Sequence, residues 1–255
     1  MAAARDAGAM LRGELGRARR IDFKGSPTNL VTEMDGRAEA LIVERLLGAF
    51  PDDAVLAEER GAIPGRSGRR WIIDPLDGTT NYAHGVPTFG VSIGLQIGDR
   101  ITVGVVHDPN HGETFVAERG GGAFVNGLPL AVSATARLNE SLLCTGFPHD
   151  IRTARRNNLA EYAAFSVKAQ GVRRMGSAVI YLAYVAAGRI DGYWELRLGP
   201  WDVAAGALLV EEAGGRVTDL TGGRMNIDTP EVVVSNGRIH DEMLQVLRAV
   251  REEGG

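Results

Sequence analysis

A hydrophobic segment that runs directly into two acidic residues constrains this chain more than any other feature. Residues 71–82 read WIIDPLDGTTNY, which predicts a strand followed by Asp74 and Asp77 on either side of a proline turn. Carboxylates bind hard divalent cations, and the backbone N–H groups after Gly78 can bind a phosphate where a helix begins. This arrangement is typical of metal-assisted phosphate chemistry. The same residues are also compatible with a purely structural role, an Asp-Pro turn followed by an Asp-capped helix.

Two further acidic segments stand where hydrophobic elements end or begin. Glu58 and Glu59 follow a short apolar strand at residues 55–57, and Asp202 stands at the start of an apolar helix. The ordinary interpretations are solvated charges at a strand end and an acid stabilised by the helix dipole. Because each lies at the end of an apolar element, they could equally turn inward to one site with Asp74 and Asp77.

Taken together, these motifs resemble the signatures of the inositol monophosphatase family of magnesium-dependent, lithium-sensitive phosphatases. The first signature matches residues 71–82 and the second matches residues 201–215. The Glu58-Glu59 pair and the segment Asn29-Leu30-Val31-Thr32, followed by Asp35, match two more elements in the family order. The resemblance implies an α/β (α+β) fold, a layered α-β-α-β-α sandwich of the inositol monophosphatase and fructose-1,6-bisphosphatase type.

The resemblance also implies a role for individual residues. Two to three Mg²⁺ ions would be bound by Glu58, Asp74, Asp77, Asp202 and the backbone carbonyl of Leu76. The catalytic residues would be Thr79, hydrogen-bonded to Asp35, and Glu58. The backbone N–H groups of Gly78 and Thr79 would bind the phosphate. Glu59 would contact the metal ligands and not the metal itself, a position from which such partners tune metal affinity.

The expected substrate is a small phosphorylated polyol or sugar. Glu195 matches a family position that hydrogen-bonds inositol hydroxyls, and a carboxylate accepts several O–H donors at once. Gly176 and Ala178 match backbone contacts near the same ring. The structural alternative for Glu195 is an exposed acid at a strand end. Three arginines fit either a solvated surface or a second phosphate, as in fructose 1,6-bisphosphate; they are Arg173, Arg174 and Arg197.

The sequence therefore predicts Mg²⁺-dependent hydrolysis of myo-inositol monophosphate by metal-activated water. The alternative among enzymes is a broader phosphatase for fructose 1,6-bisphosphate, histidinol phosphate or 3′-phosphoadenosine 5′-phosphate. Some relatives bind the RNA-synthesis machinery, so a regulatory binding protein is the third hypothesis. The filled ligand positions disfavour this hypothesis, and the net charge of −4 argues against a nucleic-acid partner.

Composition bounds the architecture and the compartment. The 255 residues, 44% of them hydrophobic, suffice for a large core. We expect one domain over residues 1–255, with subdomains at about 1–150 (helices and an antiparallel sheet) and 151–255 (α/β). The single cysteine, Cys144, is expected to be a packed core thiol and fits a cytoplasmic location. No apolar run approaches the roughly 20 residues of a membrane span, and the resemblance implies a homodimer.

Local signals predict individual elements. Thr32 and Asp35 have the spacing of a capping box for a helix that ends near Phe50. Asn126-Gly127 is a strong hairpin signal. A weak helix is expected over about residues 1–20, a loop over 24–30 and another helix over about 152–165. Gly176 and Ser177 are expected to cap an apolar helix.

Overall fold

Two β-sheets form the framework of the protein. The computed structural model describes residues 1–17, 21–23 and 30–253. The strands are β1 (Ile21–Phe23), β2 (Leu30–Thr32), β3 (Ala54–Ala57), β4 (Gly61–Ile63), β5 (Arg69–Asp77), β6 (Gly90–Ile97), β7 (Arg100–Asp108), β8 (Glu113–Glu118), β9 (Gly122–Val125), β10 (Leu128–Pro129), β11 (Leu142–Thr145), β12 (Gly171–Arg173), β13 (Gly192–Glu195), β14 (Arg216–Thr218) and β15 (Val232–Ser235). The helices are α1 (Ala2–Glu14), α2 (Glu33–Ala49), α3 (Thr79–Ala83), α4 (Leu159–Ser166), α5 (Ala178–Ala186), α6 (Pro200–Glu212) and α7 (His240–Glu253), with a 3₁₀ turn at Leu138–Glu140.

The two sheets differ in their construction. The first has eight strands in the order β10-β9-β8-β7-β6-β5-β3-β4 and is antiparallel except between β3 and β5. The second has five strands in the order β12-β11-β13-β15-β14, with parallel pairing at β11 and antiparallel pairing at β15. β1 and β2 form a separate antiparallel ladder.

Helices cover both sheets and fill the space between them. α1 and α2 pack on the eight-stranded sheet, α5 and α6 contact both sheets, and α4 and α7 pack together beside the five-stranded sheet. Three hydrophobic cores fill the four interfaces between layers, and the core around α5 and α6 includes residues of both sheets. This order of layers confirms the predicted α-β-α-β-α sandwich. None of the described helices is long and apolar enough to cross a bilayer.

Helix α6 packs closely on the eight-stranded sheet, and its third residue, Asp202, lies beside the end of β5. A Cβ atom at Gly104 would lie 2.7 Å from the carbonyl oxygen of Ala205, and one at Gly94 would lie 3.0 Å from the Cβ of Ala204. These glycines therefore let the helix approach the strands closely. Cys144 is buried in the adjacent core, and burial raises the pKa of its thiol to about 12, as expected for a packed thiol.

Several local predictions are confirmed. Thr32 and Asp35 form the capping box at the start of α2, which ends at Ala49. Asn126 and Gly127 have φ angles of 49° and 85° and connect β9 to β10, as a type I′ turn requires. The first helix ends at Glu14, before the predicted residue 20. Residues 24–29 of the predicted loop, with the Asn29 of the fourth motif, lie outside the described residues.

Two local predictions are wrong. The proline after Asp74 does not make a turn, because β5 continues to Asp77 with a shift of register between the two aspartates. Proline is tolerated in a sheet at such an irregularity because a ladder hydrogen bond is already missing there. The helix predicted over residues 152–165 begins only at Leu159.

Asn158 explains this late helix start. It has a left-handed φ of 68°, and its buried amide is held by groups far away in the sequence. The amide nitrogen donates to Thr145 Oγ1 at 2.8 Å and to the Gly146 carbonyl at 2.6 Å, and the oxygen accepts from Trp194 Nε1 at 2.7 Å. β11, which precedes this loop, is already part of the second sheet. The subdomain boundary near residue 150 stays a prediction.

Candidate active site

Three aspartates from two elements meet at the end of β5. Oxygens of Asp74, Asp77 and Asp202 lie within 4.8 Å of one another. In a regular strand, residues three apart point to opposite faces of the sheet. The register shift between Asp74 and Asp77 removes this alternation, because an extra residue in a bulge re-aims the next side chain. Asp202 reaches the same place as the third residue of α6.

Backbone N–H groups orient these carboxylates. Leu76 N donates to Asp74 Oδ1 at 3.0 Å, and Gly199 N donates to Asp202 Oδ2 at 2.6 Å. Asp77 Oδ2 accepts from the Ser177 hydroxyl at 2.5 Å and from Val179 N at 2.7 Å. Ser177 thus stands at the helix N-cap as predicted, but its hydroxyl serves Asp77 and not the helix.

The cluster is electrostatically unfavourable in the protein alone. Burial and then the neighbouring carboxylate of Glu58 hold the pKa of Asp74 well above its usual range. Burial and then Asp77 do the same to the pKa of Asp202. Burial also raises the pKa of Asp77, against hydrogen bonds from Ser177 and from backbone N–H groups that include those of Gly78 and Ala178. A divalent cation would compensate this charge, and the donors are the oxygens that Mg²⁺ prefers.

Asp35 and Thr79 connect α2 to the start of α3. Asp35 Oδ2 accepts from Thr32 N at 2.8 Å and from the Thr32 hydroxyl at 2.7 Å within the capping box. This geometry leaves Oδ1 facing Thr79, whose hydroxyl lies 2.9 Å from it and 3.1 Å from the Leu76 carbonyl oxygen. Because the hydroxyl has one proton, it can donate to only one of these oxygens at a time.

The Glu58-Glu59 pair lies in the turn between β3 and β4. Both residues are half-buried, and the Glu58 carboxylate is close enough to raise the pKa values of Asp74 and Asp202. The backbone N–H of Glu59 donates to Glu39 Oε2 at 2.8 Å. Glu58 therefore lies beside the aspartates, with its N–H bonded to the Ile73 carbonyl, but it is not part of the group within 4.8 Å. The structure also adds Glu39, which the sequence analysis missed.

Glu195 is buried at the other end of the site. It accepts a hydrogen bond from the Tyr193 hydroxyl at 2.6 Å, and burial raises its pKa to about 7. A Cβ atom at Gly146 would lie 2.2 Å from both carboxylate oxygens, so the position of Glu195 requires a glycine there. An exposed strand-end acid, the alternative interpretation, does not fit this burial. Asp77 contributes to the raised pKa, which places Glu195 in the field of the cluster.

The three arginines have different surroundings. Arg174 stacks over the Phe147 ring, with its guanidinium carbon 4.6 Å from the ring centroid, and lowers the pKa of Glu195. Arg197 forms an exposed ion pair with Asp150, and Arg173 is exposed. Arg174 is therefore the arginine that acts on the Glu195 end.

Two glycines and one amide shape the backbone between the two ends. Gly78 and Gly176 have φ angles of 96° and 67°, in the region that favours glycine. The Asn81 side chain donates to the carbonyls of Met175 at 2.6 Å and Thr88 at 2.8 Å. Asn81 thereby ties the loop before α5 to α3. The local sequence holds no signal for this contact, since its partner lies 94 residues away.

Comparisons with known proteins agree on one family. A family model described as the inositol monophosphatase family matches residues 1–252. An inositol-1-monophosphatase of Synechocystis is 46% identical over 95% of this chain and 85% of that protein. A fructose-1,6-bisphosphatase/inositol-1-monophosphatase of Thermotoga maritima is 39% identical over 98% and 95%. The Nus factor SuhB of Escherichia coli K12 is 42% identical over 88% and 84%.

A solved structure agrees with these sequence relatives. The inositol monophosphatase from Anabaena superposes with a TM-score of 0.88 at 44% identity, covering 97% of this chain and 93% of that one. The match extends over the layers that carry the aspartate cluster and over those that carry Glu195.

Proposed function

The chain belongs to the inositol monophosphatase family of phosphatases, and we propose that it hydrolyses myo-inositol monophosphate to inositol and phosphate with Mg²⁺. The observation that carries this proposal is the group of Asp74, Asp77 and Asp202, whose oxygens lie within 4.8 Å. Burial and mutual repulsion make their negative charge costly, so a bound cation would be stabilised there, and the cation would in turn attract the phosphate.

Five groups would hold two to three Mg²⁺ ions. All of them offer oxygen, which suits Mg²⁺ better than Zn²⁺. When bound, the ions would neutralise the phosphate and lower the pKa of a coordinated water. The proposed ligands are the carboxylates of Glu58, Asp74, Asp77 and Asp202 and the backbone carbonyl of Leu76.

Thr79 is proposed to orient the attacking water. Its hydroxyl donates toward Asp35 Oδ1, which leaves its oxygen lone pairs to accept a hydrogen bond from the water. Asp35 is fixed by the capping box and holds the hydroxyl in this orientation. Glu58, whose charge acts on Asp74, is proposed to share the role of proton acceptor. The N–H groups of Gly78 and Thr79 are proposed to bind phosphate oxygens.

Glu195 is proposed to bind the hydroxyls of the leaving polyol. Its carboxylate is buried, already accepts one hydroxyl from Tyr193, and lies in the field of Asp77. The backbone at Gly176 and Ala178 is proposed to contact the same ring. Glu59 is proposed to support the metal ligands through the turn that it shares with Glu58.

A second candidate is hydrolysis of a sugar bisphosphate such as fructose 1,6-bisphosphate. The observation that favours it is Arg174, which stacks on Phe147 beside Glu195 and is suited to bidentate phosphate binding. The name of the Thermotoga relative covers both activities. No comparable observation favours a regulatory role, although the Escherichia coli relative is a Nus factor.

Phosphate release from a substrate panel tests both candidates. We expect inositol 1-phosphate to give the highest kcat/KM among inositol 1-phosphate, fructose 1,6-bisphosphate, histidinol phosphate and 3′-phosphoadenosine 5′-phosphate. Arg174→Ala, with Arg173→Ala as the neighbouring control, should lower bisphosphate turnover selectively. Better turnover of the bisphosphate by the parent enzyme would replace the first candidate with the second, and no turnover of any compound would contradict both.

Three finer properties are part of this proposal. We propose inhibition by Li⁺, which would compete for the weakest metal position, and a homodimer, as the resemblance implies. A cytoplasmic location is proposed from the single cysteine.

A further inference from the structure

We propose that Glu39 is a positioning residue that fixes the turn bearing Glu58 and thereby sets the affinity of the site for Mg²⁺. Glu39 lies on α2 and is 1% exposed. The inference rests on the proposed function, because Glu58 is a metal ligand only in that proposal.

The carboxylate of Glu39 accepts three hydrogen bonds from the turn after β3. Oε2 accepts from Glu59 N at 2.8 Å. Oε1 accepts from Arg60 N at 3.2 Å and from Arg60 Nε at 2.8 Å. Two of the three donors are backbone groups directly after Glu58, so the carboxylate fixes the main chain itself. The arginine supplies the charge that a buried carboxylate needs.

The position of Glu39 on α2 links it to the catalytic pair. Asp35 is four residues earlier and lies on the same face of the helix. Asp35 holds the Thr79 hydroxyl, while Glu39 holds the Glu58 turn. One helix therefore contacts both the turn after β3 and the start of α3, and so sets the distance between these two parts of the site. Met34 and Ile42 anchor that helix in the core beneath the first sheet.

Asp53 is a matched control that distinguishes a positioning role of Glu39 from a general contribution to stability. It is also 1% exposed and also accepts three hydrogen bonds, from Ser67 Oγ at 2.7 Å, Arg69 Nε at 2.8 Å and Trp71 Nε1 at 2.9 Å. It precedes β3, whereas Glu58 follows that strand. A strand of four residues spans roughly 13 Å, so Asp53 is a matched acid at the far end.

Titration of the metal-free protein with Mg²⁺ by calorimetry, with the Mg²⁺ dependence of kcat, tests the inference. We expect Glu39→Gln to weaken Mg²⁺ binding about 10–100-fold, as partners of metal ligands typically do. An amide has one acceptor oxygen, so it cannot accept from donors on both sides. Activity at saturating Mg²⁺ should recover to within a few-fold of the parent. Asp53→Asn should lower the melting temperature and leave Mg²⁺ affinity unchanged.

The outcomes distinguish the inference from the function on which it rests. An Mg²⁺ affinity of Glu39→Gln within twofold of the parent would overturn the inference. If Glu39→Gln does not fold, Glu39→Asp decides, because its shorter carboxylate keeps the charge and loses the contact; unchanged affinity there would equally overturn it. Glu58→Gln is the third variant. If it binds Mg²⁺ like the parent, the proposed metal site itself is wrong.

Discussion

The two ends of the proposed active site, the aspartate cluster (the metal end) and Glu195 (the polyol end), each contain a buried carboxylate, but they are held in different ways. At the metal end, backbone N–H groups orient Asp74 and Asp202, and the donors belong to the same elements as the acids. At the polyol end, the Tyr193 hydroxyl holds Glu195, and a loop glycine makes room for it. The Ser177 hydroxyl and Val179 N, from another element, complete the metal end at Asp77. Main-chain groups thus provide most of the donors at the metal end, whereas a side chain and a loop glycine position Glu195.

Their electrostatics differ as well. The acids of the metal end raise one another's pKa values in addition to the effect of burial. Glu195 has a hydrogen bond from Tyr193 and the charge of Arg174 to offset burial, and its pKa is about 7. The metal end therefore favours a bound cation, whereas the donors offset the burial of Glu195 only in part, and we propose that this carboxylate accepts hydrogen bonds from substrate hydroxyls. We infer that the first end determines the reaction and the second determines the substrate.

The largest effect is expected from a substitution that disrupts the metal end. Asp74→Asn should lower kcat/KM by about 1,000-fold or more on every substrate, because metal stabilisation of transition-state charge is worth several kcal/mol. It should also raise the melting temperature of the metal-free protein, since the variant removes a buried charge that its neighbours repel. Phosphate release and thermal unfolding in EDTA measure the two effects.

A matched variant shows whether this gain is specific to the cluster. Asp53→Asn removes a buried acid that has three hydrogen-bond donors, and these donors and Arg69 keep its pKa below the ordinary value. It should lower the melting temperature in the same buffer. Full activity of Asp74→Asn, or a loss of stability equal to that of Asp53→Asn, would contradict the assignment of the metal end.

A smaller effect is expected at the polyol end. Glu195→Gln should lower kcat/KM for inositol 1-phosphate about 10–100-fold, because hydrogen bonds to a charged group contribute roughly 1.5–3 kcal/mol. The parent carboxyl ionises near pH 7, so its kcat/KM should rise through that pH, and the variant should lose this rise. A pH profile of phosphate release from pH 6 to 8.5 measures both.

A substrate without hydroxyls provides the control for Glu195. The leaving group of 4-nitrophenyl phosphate has no polyol hydroxyls for Glu195 to bind. Glu195→Gln should therefore change the turnover of this substrate by less than about threefold. An equal loss on both substrates would mean that Glu195 acts on the metal end and would remove the distinction between the two ends.

The meeting of the aspartates could be predicted because its signals are local in sequence. Asp74 and Asp77 lie within one strand, Asp202 stands at a helix start, and Asp35 stands in a capping box that the Thr32 spacing reveals. Each carboxylate follows or opens an apolar element. The layer order could also be predicted, because the family resemblance covers nearly the whole chain.

What could not be predicted depends on contacts between distant residues. Ser177 donates to an aspartate 100 residues away, and Asn158 is held by Trp194, 36 residues further on. Helix propensity alone therefore extended α4 too far. The bulge at Pro75 was missed for a similar reason, since the pairing of β5 with β6 decides between a turn and a strand. Glu39 carries no motif and is recognised only by the donors that surround it.

The smallest effect is expected in the pH dependence of stability, which tests the electrostatic difference between the two ends. The folded protein holds the protons of Asp74 and Asp202 more tightly than the unfolded chain, because their pKa values are raised well above the ordinary value of 3.8. Stability without metal should therefore fall as pH rises from the ordinary value through the raised pKa, by at most about 1.4 kcal/mol per pH unit for each group. The melting temperature in EDTA should decrease accordingly, and saturating Mg²⁺ should remove the decrease.

Asp74→Asn is the control that isolates this trend from other titrating groups. Burial lowers the pKa of His240 to about 4, which gives the opposite slope between that value and its ordinary 6.5. Parent and variant share His240 and Glu195, so the difference between their melting temperatures reports the cluster. We expect that difference to grow from pH 5 to 8 in EDTA by a few degrees. With Mg²⁺ the pH trend should disappear, and the parent should become the more stable of the two because it binds the ion. A difference that stays constant with pH would mean that Asp74 is ionised throughout and that another cation already balances it.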